Sequence, residues 1–177
     1  MNDLTGSGGR IDVLARAVNT ALFISHGVRE NSHVILHLLG GKGPVRRVWF
    51  DGSEITGVYP DERSIAGQIR SIIKKPVPPI GHYEVITDGI SHSGGGLVQT
   101  VSEWRSSGIF PIVLDAVGEP QTVIPRSSSV GFVLSDDLPL SANEFEHLDG
   151  IKRVSLGDSW LQGHSCISVL HYLMDQN

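Results

Sequence analysis

Two short clusters of charged residues stand where helices are predicted to begin. Arg10, Asp12 and Arg16 flank the first predicted helix, and Asp61–Arg63 opens the second. A carboxylate can accept a proton, and a neighbouring guanidinium can bind phosphate or a developing oxyanion. The same pattern also has a structural use, because early acids offset the helix dipole and surface ion pairs contribute about 0–1 kcal/mol. Spacing alone favours the structural interpretation.

A second cluster could form a serine hydrolase site around the segment Gly89–Gly96. Asp88, Ser91, His92 and Ser93 supply the residue types of a catalytic triad. No G-x-S-x-G motif is present, and a fold normally assembles a triad from distant segments instead of one loop. We therefore prefer a polar loop in which Ser93 caps the following helix.

Metal and phosphate motifs are weak throughout the sequence. His164, Cys166 and His171 match no common zinc spacing, so no metal is predicted. The glycine-rich segments Gly6–Gly9 and Gly94–Gly96 lack the strand–GxGxxG–helix context of a dinucleotide site and are interpreted as turns.

The elements that must position these residues follow from hydrophobic periodicity. Predicted helices cover residues 11–25, 61–75, 97–108, a short segment with Ser141 and Glu144 as a capping box, and 167–173. Predicted strands cover residues 33–39, 45–50, 83–87, 110–114, 130–134 and 151–156. Alternating strands and helices indicate an α/β domain with a mostly parallel sheet.

Composition narrows the class of protein. The 177 residues suit a single domain, and 40% hydrophobic against 19% charged residues argues against bulk disorder. The net charge of -5 argues against a basic nucleic-acid binder, yet residues 1–75 carry ten basic and seven acidic residues, and residues 76–177 carry four and twelve. One cysteine, a polar start and no apolar run near 20 residues predict a cytoplasmic protein with no membrane span.

Several segments, in order from residue 8 to the C-terminus, resemble the archaeal tRNA pseudouridine N1-methyltransferases of the SPOUT superfamily. The resembling segments are Gly8–Arg16, Phe23–Gly27, Pro60–Ser64, Val130–Asp136, and Arg153–Gly157 followed by Leu161, Cys166 and His171. The resemblance implies one SPOUT-like domain over residues 1–177, a mostly parallel sheet flanked by helices, and a trefoil knot from about residue 130. It also implies a homodimer that acts on RNA, with tRNA as the substrate.

The resemblance further implies that S-adenosyl-L-methionine is the cofactor and that the knot loops hold it. The implied cofactor-binding residues are Leu134, Leu156, Gly157, Asp158, Ser159, Trp160, Leu161 and Cys166. Cys166 then contacts the pocket wall and is not a nucleophile. Glycine permits close backbone approach, and leucines give apolar walls.

The implied reaction transfers a methyl group to N1 of a pseudouridine in the tRNA T-loop without a metal. Asp12 or Asp61, or water oriented by one of them, would take the N1 proton. Arg10, Arg16 and Arg63 would hold phosphate or the uracil oxyanion. These residues lie in the basic half of the chain, which gives the uneven charge a reason.

The sequence departs from the family pattern at three places. Asp158 stands where archaeal members often carry proline, Ser135 where they tend to carry glycine, and His164-Ser165 precedes Cys166 differently from their usual pattern. The region Gly89–Gly118 also matches less closely, so the resemblance supports the cofactor more than the substrate. The alternatives are a SPOUT-like protein that binds S-adenosylmethionine without this activity, a ribosomal-RNA pseudouridine methyltransferase, and a small hydrolase using the segment Ser91–Ser93.

Overall fold

The computed structural model describes residues 10–40, 43–125, 128–135 and 139–176. The chain divides into two compact units, Met1–Gly96 and Leu97–Asn177. The glycine-rich turn Gly6–Gly9, the start of the Gly8–Arg16 motif and the end of the Val130–Asp136 motif lie outside the described residues.

The first unit combines two helices with short and long strands. Its elements are α1 (Ile11–Leu22), β1 (Phe23–Ile24), β2 (Gly27–Val28), β3 (His33–Leu38), β4 (Arg46–Asp51), α2 (Glu62–Ile73), β5 (Glu84–Thr87) and β6 (Ile90–Gly94).

Helix α1 buries Ile11, Ala15, Val18 and Leu22, the i, i+4, i+7, i+11 stripe expected of an amphipathic helix. It packs against α2 and β3. The helix predicted to Ser25 ends three residues earlier, because the chain becomes extended and β1 pairs with β2 in a small antiparallel hairpin.

The larger sheet of the first unit has the order β3-β4-β6-β5, and each of these pairings is antiparallel. Leu36 opposes Val48, and both side chains are buried together with Phe50. The expectation of a mostly parallel sheet is therefore wrong for this unit. The connections between its paired strands include short ones, such as the turn between β5 and β6, that suit antiparallel pairing.

The second unit contains the parallel sheet that the sequence predicts. Its elements are α3 (Leu97–Ser106), β7 (Phe110–Pro120), a 3-10 turn (Gln121–Val123), β8 (Val130–Val133), α4 (Ala142–His147), β9 (Lys152–Ser155) and α5 (Gly163–Met174). The strand order is β8-β7-β9, and both pairings are parallel.

Helices flank this parallel sheet on both faces. Val113 on β7 packs in a core with α3 and α4 residues, whereas the adjacent Ile112 packs with Leu170 of α5 in a second core. Successive strand residues point to opposite faces, so β7 is buried from both sides. A mixed α/β architecture with a parallel sheet flanked by helices is thus confirmed. None of the described helices has the length and apolar character needed to cross a membrane.

One predicted loop proves to be a strand. Residues assigned to the Gly89–Gly96 loop form β6, in which His92 and Ser93 are fully buried. Ser93 therefore does not cap α3, which begins at Leu97. The predicted capping box at α4 is confirmed, since the Ser141 hydroxyl accepts from the Glu144 amide and the Glu144 carboxylate accepts from the Ser141 amide.

Candidate functional site

A bidentate ion pair between Arg10 and Asp12 organises the first charged cluster. Nε and Nη2 of Arg10 each donate to one carboxylate oxygen of Asp12, both at 3.0 Å. Through these hydrogen bonds, the Arg10 guanidinium lowers the pKa of the Asp12 carboxyl. Asp12 is therefore an ionised but weakened base, with both oxygens engaged by one cation.

The second cluster is organised by a helix cap. The Asp61 carboxylate, at the N-cap of α2, accepts a hydrogen bond of 2.9 Å from the backbone amide of Ser64 through Oδ1. Asp61 and Arg63 are both exposed. The cap fixes the Asp61 carboxylate at the start of the helix, where the partial positive charge favours an anion.

An ion pair that sequence reasoning missed joins the two clusters. Arg16 on α1 donates from Nε to Glu62 of α2 at 2.9 Å, and its Nη2 lies 3.5 Å from the second carboxylate oxygen. Arg16 was expected to hold phosphate or an oxyanion, whereas here it binds Glu62. Glu62 lies within the Pro60–Ser64 motif, but its pairing with Arg16 joins residues 46 positions apart, and residue spacing does not reveal such a contact.

The hydrolase arrangement does not form. His92 lies on β6 with its side chain fully buried, and its Nδ1 is 3.1 Å from Arg46 Nη1, which acts as the donor. The Ser93 hydroxyl donates to main-chain carbonyls of Pro79 and Gly94, and the Asp88 carboxylate accepts from Thr56. His92, Ser93 and Asp88 are thus each bonded to other groups, and they do not form a nucleophile–base–acid chain with one another.

The predicted cofactor residues lie at one edge of the parallel sheet in the second unit. Leu134 and Leu156 come immediately after β8 and β9, which pair on either side of β7. The carboxyl ends of parallel strands meet at the same edge, where ligands commonly bind in α/β proteins. Two strand spacings, about 10 Å in total, separate β8 from β9 in the plane of the sheet.

The loop after β9 is shaped by backbone geometry and by one hydroxyl. Gly157 has a φ of 126°, a conformation that side chains disfavour, and a Cβ built there would meet open space. The Ser155 hydroxyl accepts from the Gly157 amide at 3.1 Å and donates to its carbonyl at 3.2 Å. Ser155 was not predicted as a site residue, although it lies within the Arg153–Gly157 motif.

The remainder of this loop is open to solvent. Gly157, Asp158 and Ser159 are exposed, Trp160 is 80% exposed and Leu161 is 41% exposed. This combination of accessible backbone groups and apolar side chains fits an adenosine-containing cofactor, whose ring offers hydrogen-bonding edges and two apolar faces.

Cys166, in the first turn of α5, closes the loop. Its thiol lies 3.9 Å from the Leu161 carbonyl, within reach of a weak S–H hydrogen bond. Burial raises the pKa of the Cys166 thiol, so the neutral form dominates near pH 7. The described part of the chain shows no group of three or more histidine, cysteine or acidic residues that could hold a metal.

Comparison with known proteins decides the family. A model of the family described as "Putative SAM-dependent RNA methyltransferase" matches residues 1–177. The chain belongs to this family. Its cofactor is S-adenosylmethionine, and the predicted enzyme class, an S-adenosylmethionine-dependent RNA methyltransferase, is confirmed.

Relatives within this methyltransferase group cover nearly the complete chain. A protein of Methanococcoides burtonii named tRNA (pseudouridine(54)-N(1))-methyltransferase is 32% identical over 181 residues, covering 100% of this chain and 88% of the relative. A protein of Haloferax volcanii with the same name is 36% identical over 178 residues, covering 99% of this chain and 87% of the relative.

A solved structure supports the fold assignment. Archaeoglobus fulgidus Nep1, bound to S-adenosylhomocysteine, superposes with a TM-score of 0.66 at 15% identity, covering 95% of this chain and 71% of Nep1. At this identity the likeness concerns the fold. The individual catalytic and cofactor residues named above stay predictions.

Proposed function

We propose that this protein methylates N1 of the pseudouridine at position 54, in the T-loop of tRNA. The observation that carries this proposal is the identity of 32% over the complete chain with a protein named for that reaction. The same name belongs to a relative that is 36% identical over 99% of the chain.

The edge loops of the second unit would hold the cofactor. Leu134, Leu156 and Leu161 supply apolar walls, and the backbone of Gly157 and its exposed neighbours supplies hydrogen-bonding groups. Cys166 would line the wall as a neutral thiol, in keeping with the raised pKa of its side chain. Asp158, Ser159 and Trp160 complete the loop and are the residues most accessible to a bound ligand.

When bound, S-adenosylmethionine supplies a methyl group from its sulfonium sulfur, the carbon–sulfur bond breaking as N1 gains the methyl group. Asp61 would take the departing N1 proton, directly or through water. We favour Asp61 over Asp12 because Arg10 occupies both Asp12 oxygens and lowers the pKa of that carboxyl. Oδ1 of Asp61 accepts from the Ser64 amide, and the Asp61 side chain is exposed.

The cations of the first unit would bind the substrate. Arg63 is exposed in the first turn of α2, two residues after Asp61, and Arg10 is oriented by its ion pair with Asp12. Guanidinium groups bind phosphate and stabilise a uracil oxyanion through charge-assisted hydrogen bonds. Arg16 would instead hold Glu62, and thus α1 against α2.

The larger architecture belongs to the same proposal. We infer that residues 1–177 act as one SPOUT-like domain, that the segment from about residue 130 forms a trefoil knot, and that two copies form a homodimer in the cytoplasm. The strand order β8-β7-β9 and the fold likeness to Nep1 support the SPOUT-like arrangement.

The test is methyl transfer to total tRNA and to ribosomal RNA, prepared with and without pseudouridine and read by nucleoside mass spectrometry. We expect N1-methylpseudouridine in tRNA only, and only when pseudouridine is present. Product in ribosomal RNA alone would show that ribosomal RNA, and not tRNA, is the substrate. Cofactor binding with no product in either RNA would favour the binding-only alternative.

A further inference from the structure

Tyr59 is a large aromatic residue that the first unit leaves in solvent. It is 74% exposed, and it stands two residues before Asp61, the proposed acceptor of the N1 proton. Single exposed apolar residues are common on protein surfaces. The way Tyr59 is held, and the groups next to it, therefore decide whether its ring has a role.

A tight turn fixes the backbone between Tyr59 and Asp61. The Tyr59 carbonyl accepts a hydrogen bond of 2.8 Å from the Asp61 amide, which closes a three-residue turn centred on Pro60. The proline ring restricts φ to about -65°, close to the roughly -75° at the centre of an inverse γ-turn. Asp61 is itself fixed as the cap of α2 by its hydrogen bond with the Ser64 amide.

The chain that leads to Tyr59 is also anchored to the first unit. Ile55 is buried, and its amide donates to the Asp51 carbonyl at 2.9 Å. The Thr56 hydroxyl donates to the Asp88 carboxylate at 3.2 Å. Because contacts support this segment before and after Tyr59, the exposure of the ring does not result from an unsupported loop.

The neighbours of Tyr59 are groups that the proposed reaction uses. Asp61 would take the N1 proton, and the exposed Arg63 would bind phosphate or the uracil oxyanion. Two residues of an extended chain span at most about 7 Å, and the turn shortens this separation between Tyr59 and Asp61. A planar ligand that contacts the Tyr59 ring can therefore also reach the Asp61 carboxylate.

A uracil ring suits this combination of groups. An enzyme that modifies a base takes that base out of the stack, and an aromatic side chain commonly replaces the lost stacking contact. The ring of pseudouridine has an apolar face for stacking. Its edge carries N–H and carbonyl groups, which a carboxylate and a guanidinium can bind.

We propose that the Tyr59 ring stacks on the target pseudouridine and holds its base beside Asp61. This inference rests on the proposed RNA substrate, and it makes Tyr59 a substrate-binding residue that takes no part in proton transfer. Stacking accepts every base, so Tyr59 adds affinity and position, whereas Asp61 and Arg63 bind the edge of the ring.

The experiment is a double-mutant cycle on binding. It measures the Kd of two labelled tRNAs that differ only at position 54, where one carries pseudouridine and the other an abasic nucleotide. Tyr59→Ala should raise the Kd of the pseudouridine tRNA by about tenfold, as expected for one base–aromatic contact, and leave that of the abasic tRNA within about twofold. An equal loss on both tRNAs would place Tyr59 against another part of the RNA and overturn the proposal.

Further variants separate stacking from apolar bulk. Tyr59→Phe keeps the ring and should bind the pseudouridine tRNA like wild type, whereas Tyr59→Leu lacks a π-face and should lose most of what the alanine variant loses. Equal binding by the leucine and phenylalanine variants would contradict a stacking contact. Melting temperatures and affinity for S-adenosylmethionine should match wild type in all three variants, because the ring is mostly exposed.

Tyr172→Ala is the matched control. It removes a tyrosine that is 64% exposed on α5, in the second unit and away from the proposed substrate groups in sequence. This variant should change the Kd of neither tRNA. A loss equal to that of Tyr59→Ala, confined to the pseudouridine tRNA, would show that the cycle does not single out Tyr59 and would overturn the assignment.

The outcomes separate this inference from the proposed function. If wild-type protein methylates tRNA but the cycle shows no coupling between Tyr59 and the base at position 54, the reaction stands and the stacking contact fails. If no RNA is methylated but the coupling is present, the proposed reaction fails and the stacking contact stands.

Discussion

In the first unit, side-chain contacts or a helix end fix the charged motif residues. Arg10 forms an ion pair with Asp12, Arg16 forms one with Glu62, and Asp61 caps α2. In the second unit, the predicted cofactor loop is held mainly through its backbone. The Ser155 hydroxyl forms hydrogen bonds with both the amide and the carbonyl of Gly157, and the Cys166 thiol lies beside the Leu161 carbonyl. The side chains of this loop, Trp160 above all, extend into solvent.

The contrast suggests a division of labour. Acid–base and anion-binding groups gain from being fixed before the substrate arrives, because positioning supplies much of the rate of a group transfer. A loop that surrounds a small cofactor gains from accessible backbone groups that bind the ligand itself. The predictions that follow test whether each unit depends on its own kind of support.

The largest expected effect concerns Asp61. Asparagine caps a helix about as well as aspartate, so Asp61→Asn should keep α2 intact while removing the proton acceptor. We expect kcat for tRNA methylation to fall by about 10²–10⁴-fold with unchanged affinity for S-adenosylmethionine. Retained activity in Asp61→Asn together with loss in Asp12→Asn would move the base to Asp12.

The second prediction compares two glycines with positive φ. Gly157 and Gly150 both have open space at the Cβ position, so Gly→Ala should destabilise both variants through the backbone alone, and more so at Gly157, whose φ of 126° lies further from the left-handed helical region than the 72° of Gly150. Only Gly157→Ala should also weaken S-adenosylmethionine binding, by about tenfold, which is about 1.4 kcal/mol. Isothermal calorimetry on both variants measures this difference, and equal cofactor affinities would contradict the placement of the loop.

The third prediction tests the rigid core of the first unit through pH. Burial, and secondarily the charge of Arg46, lowers the pKa of His92, with Glu84 and Lys75 as the other charged neighbours. As pH falls below 6.5, the ordinary pKa of histidine, His92 becomes protonated in the unfolded chain but stays neutral in the folded protein.

The free energy of unfolding should therefore decrease with falling pH, by at most about 1.4 kcal/mol per pH unit from this group. Urea titrations between pH 7 and pH 5 measure the slope. His92→Gln should show a shallower slope than wild type, and an identical slope would show that other groups cause the loss.

The smallest effect is expected at Cys166. Because the pKa of the thiol is raised and its proposed role is contact alone, Cys166→Ala should change kcat by no more than about threefold. Wild-type protein should also react with iodoacetamide more slowly than free cysteine at pH 7.5. Rapid alkylation of the wild-type protein, together with complete loss of activity in Cys166→Ala, would show that the thiol takes part in the reaction.

Local signals account for what was predictable. The acids before α2, the Ser141–Glu144 capping box and the glycine after α3 each act within a few residues, so the sequence pattern alone placed them correctly. The parallel strands β7 and β8 were also found, because strands buried on both faces read as short apolar runs, and β9 lies within the predicted strand 151–156.

The features that the sequence did not predict depend on contacts between residues far apart in the chain. β6 carries polar residues such as His92 and Ser93, which look like loop residues until they are paired with β4 and buried. The contact of Arg46 with His92 and that of Arg16 with Glu62 each join residues 46 positions apart. No pattern of spacing contains such contacts, and family resemblance supplied the roles without supplying the pairings.

The central claim is that this protein methylates pseudouridine in tRNA. The most direct measurement is transfer of labelled methyl from S-adenosylmethionine to two tRNA transcripts that differ only by uridine or pseudouridine at position 54. We predict N1-methylpseudouridine in the second transcript and no label in the first. Equal labelling of both transcripts, or label in neither, would contradict the claim.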